Sequence, residues 1–287
     1  MRLRGDVYMQ RPTMWIKLPG QGEINCESIT KGLRFLQDDS DPGVTNSYLT
    51  DAGLDGSLLS YQSIAKNTIN ANFWLHFGDW YDYKMKKHSI AKFFAQKGLM
   101  RIRTDAEPAI VKYVYAGNYS IKPVQDYSHE ALFTVAFDNP TGIKYSLGWS
   151  DDEMTYGNGL WQVGMNLPNG KHLDYEYIGQ RSFKIYNASD ITVDPIQRHP
   201  MQIIVKNTTG QVEIKNVTTG TAIAYRGHLA ASDELTWDGV NCYLNGELAN
   251  NDTDYTYLTL APGYNDIHVS STSDADIRFH FKFLYLD

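Results

Sequence analysis

Apolar side chains recur with period two through much of this chain, and the longest such runs show where its strands lie. Asn67 to Phe77 sets Ile69, Ala71, Phe73, Leu75 and Phe77 against Thr68, Asn70, Asn72, Trp74 and His76, the alternation of a strand with one face in a core. The last stretch repeats the pattern, with Ile277, Phe279, Phe281, Phe283 and Tyr285 on one face and Arg278, His280 and Lys282 on the other. From Arg181 onward, short runs of this kind are cut at near-regular intervals by turn residues. Phe183 and Ile185 precede Asn187-Ala-Ser-Asp190, Met201 to Val205 precede Asn207-Thr-Thr-Gly210, and Val212 and Ile214 precede Asn216. Asn245-Gly246 is the strongest hairpin signal, because both central residues of the favoured two-residue turn need positive φ.

Many short antiparallel strands over residues 181–287 predict a β-sandwich of jelly-roll or galectin-like character. In the leading half, strands are expected from Pro12 to Leu18, Asn25 to Ile29, Leu33 to Leu36, Leu99 to Thr104, Ala109 to Ala116, Tyr119 to Val124 and His129 to Phe137. A single long helix is expected, capped by Asp82 and running to about Lys97, with Tyr83, Ile90, Phe93 and Phe94 on one face and Lys84, Lys87 and Lys92 on the others. Gly98 is placed to end it. The fold class that follows is mainly β (α+β): an N-terminal antiparallel domain with one α-helix over residues 1–142 and a sandwich over 181–287. Residues 143–180, rich in Gly, Asn and Asp with scattered Trp and Tyr, read as an irregular linker or insertion. Arg2 to Tyr8 is short and polar. Gln37 to Ser60 opens on the acidic turn segment Asp38 to Gly43 and has few periodic apolar positions, so it reads as an extended arm or belt that needs a partner surface to order it.

A length of 287 residues is enough for more than one core. No window reaches the apolar length of a membrane span, and Met1 to Gly20 lacks the apolar region of a secretory signal. The net charge of −7 argues against a surface built to grip phosphate backbones. Cys26 and Cys242 lack the spacing of a zinc site and fall in different expected domains, so neither a disulfide nor a metal is expected. No phosphate-binding loop, dinucleotide fingerprint or nucleophile elbow is present. His129-Glu130 begins a zinc-protease motif, but Phe133 stands where the second imidazole belongs. The acidic groups Asp151-Asp152-Glu153 and Asp38, Asp39 and Asp41 lack the ligand alternation of a calcium loop and read as solvated turns. The Asn-x-Ser/Thr sequences at Asn118, Asn187, Asn207, Asn216 and Asn251 read as turn chemistry, and His88 as part of the wet face of the helix. Trp161, Tyr175, Tyr177, Tyr225 and Trp237 are the residue types of a sugar-stacking platform, although burial in a core is the commoner fate of such side chains. No catalytic, cofactor-binding or metal-ligating residue is expected, and the chain is not expected to be an enzyme.

The order of these pieces resembles the distal tail protein (Dit) family of siphophages infecting Gram-positive hosts. In the first part the resemblance lies in Gly53-Leu-Asp-Gly56-Ser-Leu-Leu59 before the long alternating strand, then in the helix Tyr83 to Lys97, the pair from Leu99 to Tyr115, and His129 to Asn139-Pro140. In the second it lies in Arg181-Ser-Phe-Lys-Ile-Tyr-Asn187, Asp190-Ile-Thr-Val-Asp-Pro195, Val212 to Asn216, Thr218-Thr-Gly220, Leu260-Ala-Pro-Gly263-Tyr-Asn265 and Leu284-Tyr285. The resemblance implies a structural role with no cofactor. N-terminal belt domains would close a ring, typically a hexamer, around a channel through which DNA passes, and galectin-like domains would project outward. Such a ring joins the major tail tube protein to the tail-tip protein and in many phages carries receptor-binding proteins. It would belong to the virion and be assembled in host cytoplasm. An arm lacking its own core, a negative charge suited to a lumen past which DNA slides, and the missing catalytic signatures all agree with that role. Two other readings stay open. One is a carbohydrate-binding module recognising host cell-wall saccharide through Trp237 and Tyr225; the other is a glycan hydrolase with an unrecognised carboxylate pair.

Overall fold

The computed structural model describes residues 11–53 and 55–286; the polar stretch Arg2 to Tyr8 lies outside them. The chain divides into two compact units, the first ending at Lys144 and the second formed by Tyr145–Leu286.

The first unit contains β1 (Met14–Lys17), β2 (Glu23–Asn25), β3 (Leu33–Ser40), β4 (Val44–Leu49), β5 (Leu58–Ile64), β6 (Asn67–His76), α1 (Trp80–Phe94), β7 (Met100–Thr104), β8 (Ile110–Ala116) and β9 (Glu130–Asn139). Apart from β4 and β5, which pair only with each other, these strands hydrogen-bond in the order β2-β1-β7-β8-β9-β6-β3. The alternation from Asn67 is realised as expected, with Ile69, Ala71, Phe73 and Leu75 fully buried. Phe73 anchors the core, its ring 5.7 Å from Phe35, 5.4 Å from Phe133 and 6.3 Å from Phe94. Helix α1 lays Tyr83, Ile90 and Phe94 on this core.

The helix starts a turn earlier than its sequence suggests, because Asp79 rather than Asp82 is the cap. Its carboxylate accepts from the Asp82 N–H at 2.8 Å while the Asp82 carboxylate accepts from the Gly78 N–H, a reciprocal arrangement that satisfies two otherwise unpaired donors. Tyr119 to Val124 is not a strand; only an isolated bridge joins Pro123 to Ala131. After β2 the chain turns into a short 3-10 helix, Cys26–Ser28, where Asn25 accepts from the Glu27 N–H.

The second unit follows β10 (Lys144–Ser146) and contains β11 (Glu176–Ile178), β12 (Ser182–Asn187), β13 (Met201–Lys206), β14 (Gly210–Asn216), β15 (Thr221–Leu229), β16 (Leu235–Asp238), β17 (Asn241–Leu244), β18 (Glu247–Leu248), β19 (Gly263–Ser271), β20 (Asp276–Phe281) and β21 (Leu284–Tyr285). One sheet has the order β11-β20-β13-β16-β17-β18 and the other β12-β19-β14-β15. The two pack as a sandwich, with Phe183 of one sheet 6.2 Å from Phe279 of the other, ring to ring. Asn245 and Gly246 take φ values of 51° and 85° between β17 and β18, the hairpin that their sequence demands.

The aromatic residues of the irregular segment 143–180 dock in the second unit. Trp161, Met165, Tyr175 and Tyr177 are buried, and Trp161 and Tyr175 pack against Phe283 and Phe281. On the opposite side of β20, Trp149 stacks on His280 at 4.0 Å, Lys282 sits 4.3 Å over the Trp149 ring, and Asp151 pairs with Arg278 and His280. The polar face of the final strand is therefore covered at Lys282 and half-covered at His280 by a segment whose own backbone is irregular, while Arg278 stays exposed. No helix among the described residues is long and apolar enough to cross a membrane.

Candidate assembly surface

The feature of the first unit that its own core does not explain is the β4–β5 ribbon. Val44 pairs with Ile64, Thr45 with Ser63, Asn46 with Gln62 and Ser47 with Tyr61; after a bulge at Ser60, Tyr48 pairs with Leu59 and Leu49 with Leu58. Every residue of β5 is exposed, and Leu58 is exposed by 71% and Tyr61 by 56%. Val44, Tyr48, Leu49 and Leu59 are each at least half exposed as well. A two-stranded ribbon alone in water is marginal, and its outer edges offer unpaired backbone groups to another chain. A contiguous apolar surface of this kind marks a contact site rather than a finished exterior.

The root of the ribbon is built to hold it in place. The Ala65 N–H donates to the Gly43 carbonyl at 2.8 Å. Gly142 lies against the same turn: a Cβ there would stand 2.0 Å from the Ala65 carbonyl oxygen and 3.0 Å from Ile64 Cγ2. Only residues without a side chain at positions 43 and 142 let this close approach occur.

Of the arm expected from Gln37 to Ser60, the first part belongs to the main sheet, since Gln37, Asp38, Asp39 and Ser40 pair with Asn72 to Ile69 of β6. The rest is a hairpin, and its signal was present: Val44 to Leu49 and Leu58 to Ile64 are β-prone runs flanking Asp51-Ala-Gly-Leu-Asp-Gly56. Trp161, Tyr175, Tyr177, Tyr225 and Trp237 are all at least nine-tenths buried, so they form no stacking platform. Tyr175 donates to the Tyr186 carbonyl and Tyr177 to the Lys184 carbonyl, and burial pushes both phenols well above their usual range.

Asp151 is committed to Arg278 and His280, and Asp38 lies 3.8 Å from Lys112. His129 is within 3.2 Å of the Phe77 carbonyl, and Phe133 stacks on Phe73. Among the described residues no group of His, Cys, Asp and Glu is placed to hold a metal ion. Both cysteines are free and buried, and burial pushes each thiol up to about 12. Asn187 and Asn216 are buried, each accepting from the N–H two residues on, which is the turn role their sequence suggests.

With this geometry, likeness to known proteins becomes informative. Residues 24–139, which include the ribbon and α1, match the family model of the phage tail protein RIFT-related domain. A search of curated proteins finds no match. The crystal structure of Dit from phage SPP1, described as a paradigm of the hub adsorption apparatus of phages infecting Gram-positive hosts, matches with a TM-score of 0.69 at 12% identity, covering 96% of this chain and 100% of that one. A chain in the activated baseplate of phage p2 matches with a TM-score of 0.46 at 13% identity, covering 95% and 98%. Residues 24–139 thus match the phage tail protein RIFT-related domain, within a chain that has the fold of SPP1 Dit over nearly its whole length.

Proposed function

We propose that this protein is the hub of a siphophage tail, a structural component of the virion that links the tail tube to the tail tip or baseplate. Copies of the chain associate through the first unit into a ring, taken as hexameric, and the ring surrounds the channel by which DNA leaves. The observation that carries this reading is the β4–β5 ribbon, an apolar element rigidly rooted at Gly43 and Gly142 yet uncovered by its own chain. The matched tail domain and the Dit-like fold supply the context. A net charge of −7 favours passage of a polyanion over its retention.

In this reading the ring-forming domain is residues 1–142, the sandwich 181–287 offers surface to tail-tip or receptor-binding proteins, and residues 143–180 are part of the sandwich unit rather than a separate link. The major tail tube protein is the partner on the other side. Assembly takes place in host cytoplasm, and no catalysis is assigned.

Light scattering of the purified protein after size exclusion, with negative-stain microscopy of the same peak, tests this. The expected result is a closed ring of defined mass. A monomer at every concentration reached, with no rings, overturns the reading.

A further inference from the structure

We infer that the distal part of the β4–β5 ribbon seats in a cleft beside the N-terminus of α1 on a second copy of this chain. The inference rests on the ring reading and names the surface that receives the ribbon.

The ribbon itself prescribes the shape of its partner. Neighbouring residues along a strand point to opposite faces, so the adjacent pairs Tyr48–Leu59 and Leu49–Leu58 make its distal part apolar on both sides. The stem is mixed, with Thr45, Asn46, Ser47, Ser60, Gln62 and Ser63 interleaved with Val44, Tyr61 and Ile64. An element apolar on both faces is satisfied by insertion between two walls; a flat surface would cover only one. Its tip carries Asp51 and Asp55, and no Lys or Arg occurs between Val44 and Ile64.

The first unit contains a cleft of that form, with a volume of about 1030 Å³. Phe77, Trp80 and Tyr83 make one wall, and the segment from Pro123 to Tyr127 makes the other. Trp80 is more than half exposed, and Tyr127 is fully exposed and held at a φ of 63°, a conformation that costs a bulky residue about 1–2 kcal/mol. The walls are tied together at their base, where the Tyr83 hydroxyl and Lys87 Nζ both donate to the Ile121 carbonyl, at 2.8 and 3.1 Å.

Lys84, Lys87 and Lys122 line the cleft together with Asp79 and Asp126. The Asp79 carboxylate is already engaged by the Asp82 N–H at the positive end of the helix. Three lysines against two aspartates leave the rim with a formal net charge of +1, and it faces a ribbon tip whose charges are all negative. The ribbon's exposure shows that it does not fill the cleft of its own chain. Ribbon into cleft from copy to copy is a heterologous, head-to-tail contact, the kind that generates rings when the rotation closes.

Charge exchange tests this. Lys84→Glu with Lys122→Glu in one variant, and Asp51→Lys with Asp55→Lys in another, should each raise the concentration at which rings form by about tenfold, the worth of a pair of rim ion pairs. Combining all four substitutions should restore assembly toward the wild-type value in sedimentation velocity. In parallel, Ser57→Cys and Val124→Cys in one chain should give oxidised dimers and higher ladders, with the buried Cys26 and Cys242 silent. Rings that form normally in both charge variants, a combined variant no better than either, or rings without cross-linked ladders each overturn the cleft while leaving the ring intact. A wild-type protein that stays monomeric fails the ring reading itself, and the cleft with it.

Discussion

Replacing Gly142 by Ala separates folding of the first unit from placement of its ribbon. The added Cβ would lie 2.0 Å from the Ala65 carbonyl oxygen and 3.1 Å from its carbon, so the turn leading out of β5 must retreat by about 1.4 Å to reach van der Waals distance. The ribbon extends about 20 Å from that root at a rise of ~3.3 Å per residue. If the movement pivots over about one residue spacing either side of the root, the tip is displaced by roughly 3–4 Å, too far for a packed contact to follow. Position 142 also has a φ of 64°, which costs alanine about 1–2 kcal/mol whatever its surroundings. Gly20 provides the control, with a φ of 69° and nothing within 4 Å of its added Cβ, so Gly20→Ala carries the backbone cost alone. Both variants should fold, with melting temperatures lowered by a few degrees, about 2–4 °C per kcal/mol for a unit of this size. Only Gly142→Ala should shift the ring-forming concentration, by about tenfold or more for each 1.4 kcal/mol lost at the interface. Near-ultraviolet circular dichroism, thermal melting and sedimentation velocity on the two proteins give the comparison. Equal assembly by both variants refutes the argument that the root positions the ribbon, and an unfolded Gly142→Ala shows the root to be core rather than mounting.

Other consequences of the same geometry are open to measurement. Leu58→Asp with Leu59→Asp, at side chains 71% and 50% exposed, should leave the melting temperature within the effect of ~0.5 kcal/mol expected of surface changes while abolishing rings; a large loss of stability would show that the ribbon packs on its own chain. Glu23 is raised by partial burial but held below its ordinary value of 4.5 by hydrogen bonds and charge from Arg103 and Arg101. A depressed carboxyl stabilises the fold above its unfolded value and loses that contribution as pH falls through its folded one. Glu23→Gln should therefore cost about 1–2 kcal/mol at pH 7 in urea denaturation, with the difference from wild type shrinking below pH 4.5; a pH-independent difference contradicts the pairing. Trp237→Ala, at a residue only 4% exposed, should destabilise the sandwich by about 3–5 kcal/mol, and unchanged stability would contradict its burial.

The sequence alone determined those elements whose signal is local. The alternation at Asn67 to Phe77 fixed β6 because every second side chain there is large and apolar, and Asn245-Gly246 fixed a hairpin because few other pairs accept positive φ at both residues. The helix was legible in its apolar face, but not in its ends: Asp79 and Asp82 are both competent caps, the reciprocal bonds between Gly78, Asp79 and Asp82 decide between them, and the helix stops at Phe94 rather than near Lys97. Gln37 to Ser60 was legible as a segment lacking its own core, though neither the pairing of Gln37 to Ser40 with β6 nor the ribbon from Val44 to Ile64 was.

What only the tertiary structure decided were matters of which surface meets which. Aromatic residues in an irregular stretch serve a binding face or a core equally well by composition, and only the packing of Trp161 and Tyr175 against the β20–β21 strip shows the second. Arg278, His280 and Lys282 carry charge on the other face of the last strand, yet Asp151 pairs with the first two and Trp149 packs on His280 and Lys282, so that Lys282 is buried and Arg278 exposed. Burial is a property of what lies opposite a residue, often more than a hundred positions away in the chain, and neither periodicity nor composition encodes that partner. The ribbon shows the converse, since its apolar residues find no partner in the chain that carries them.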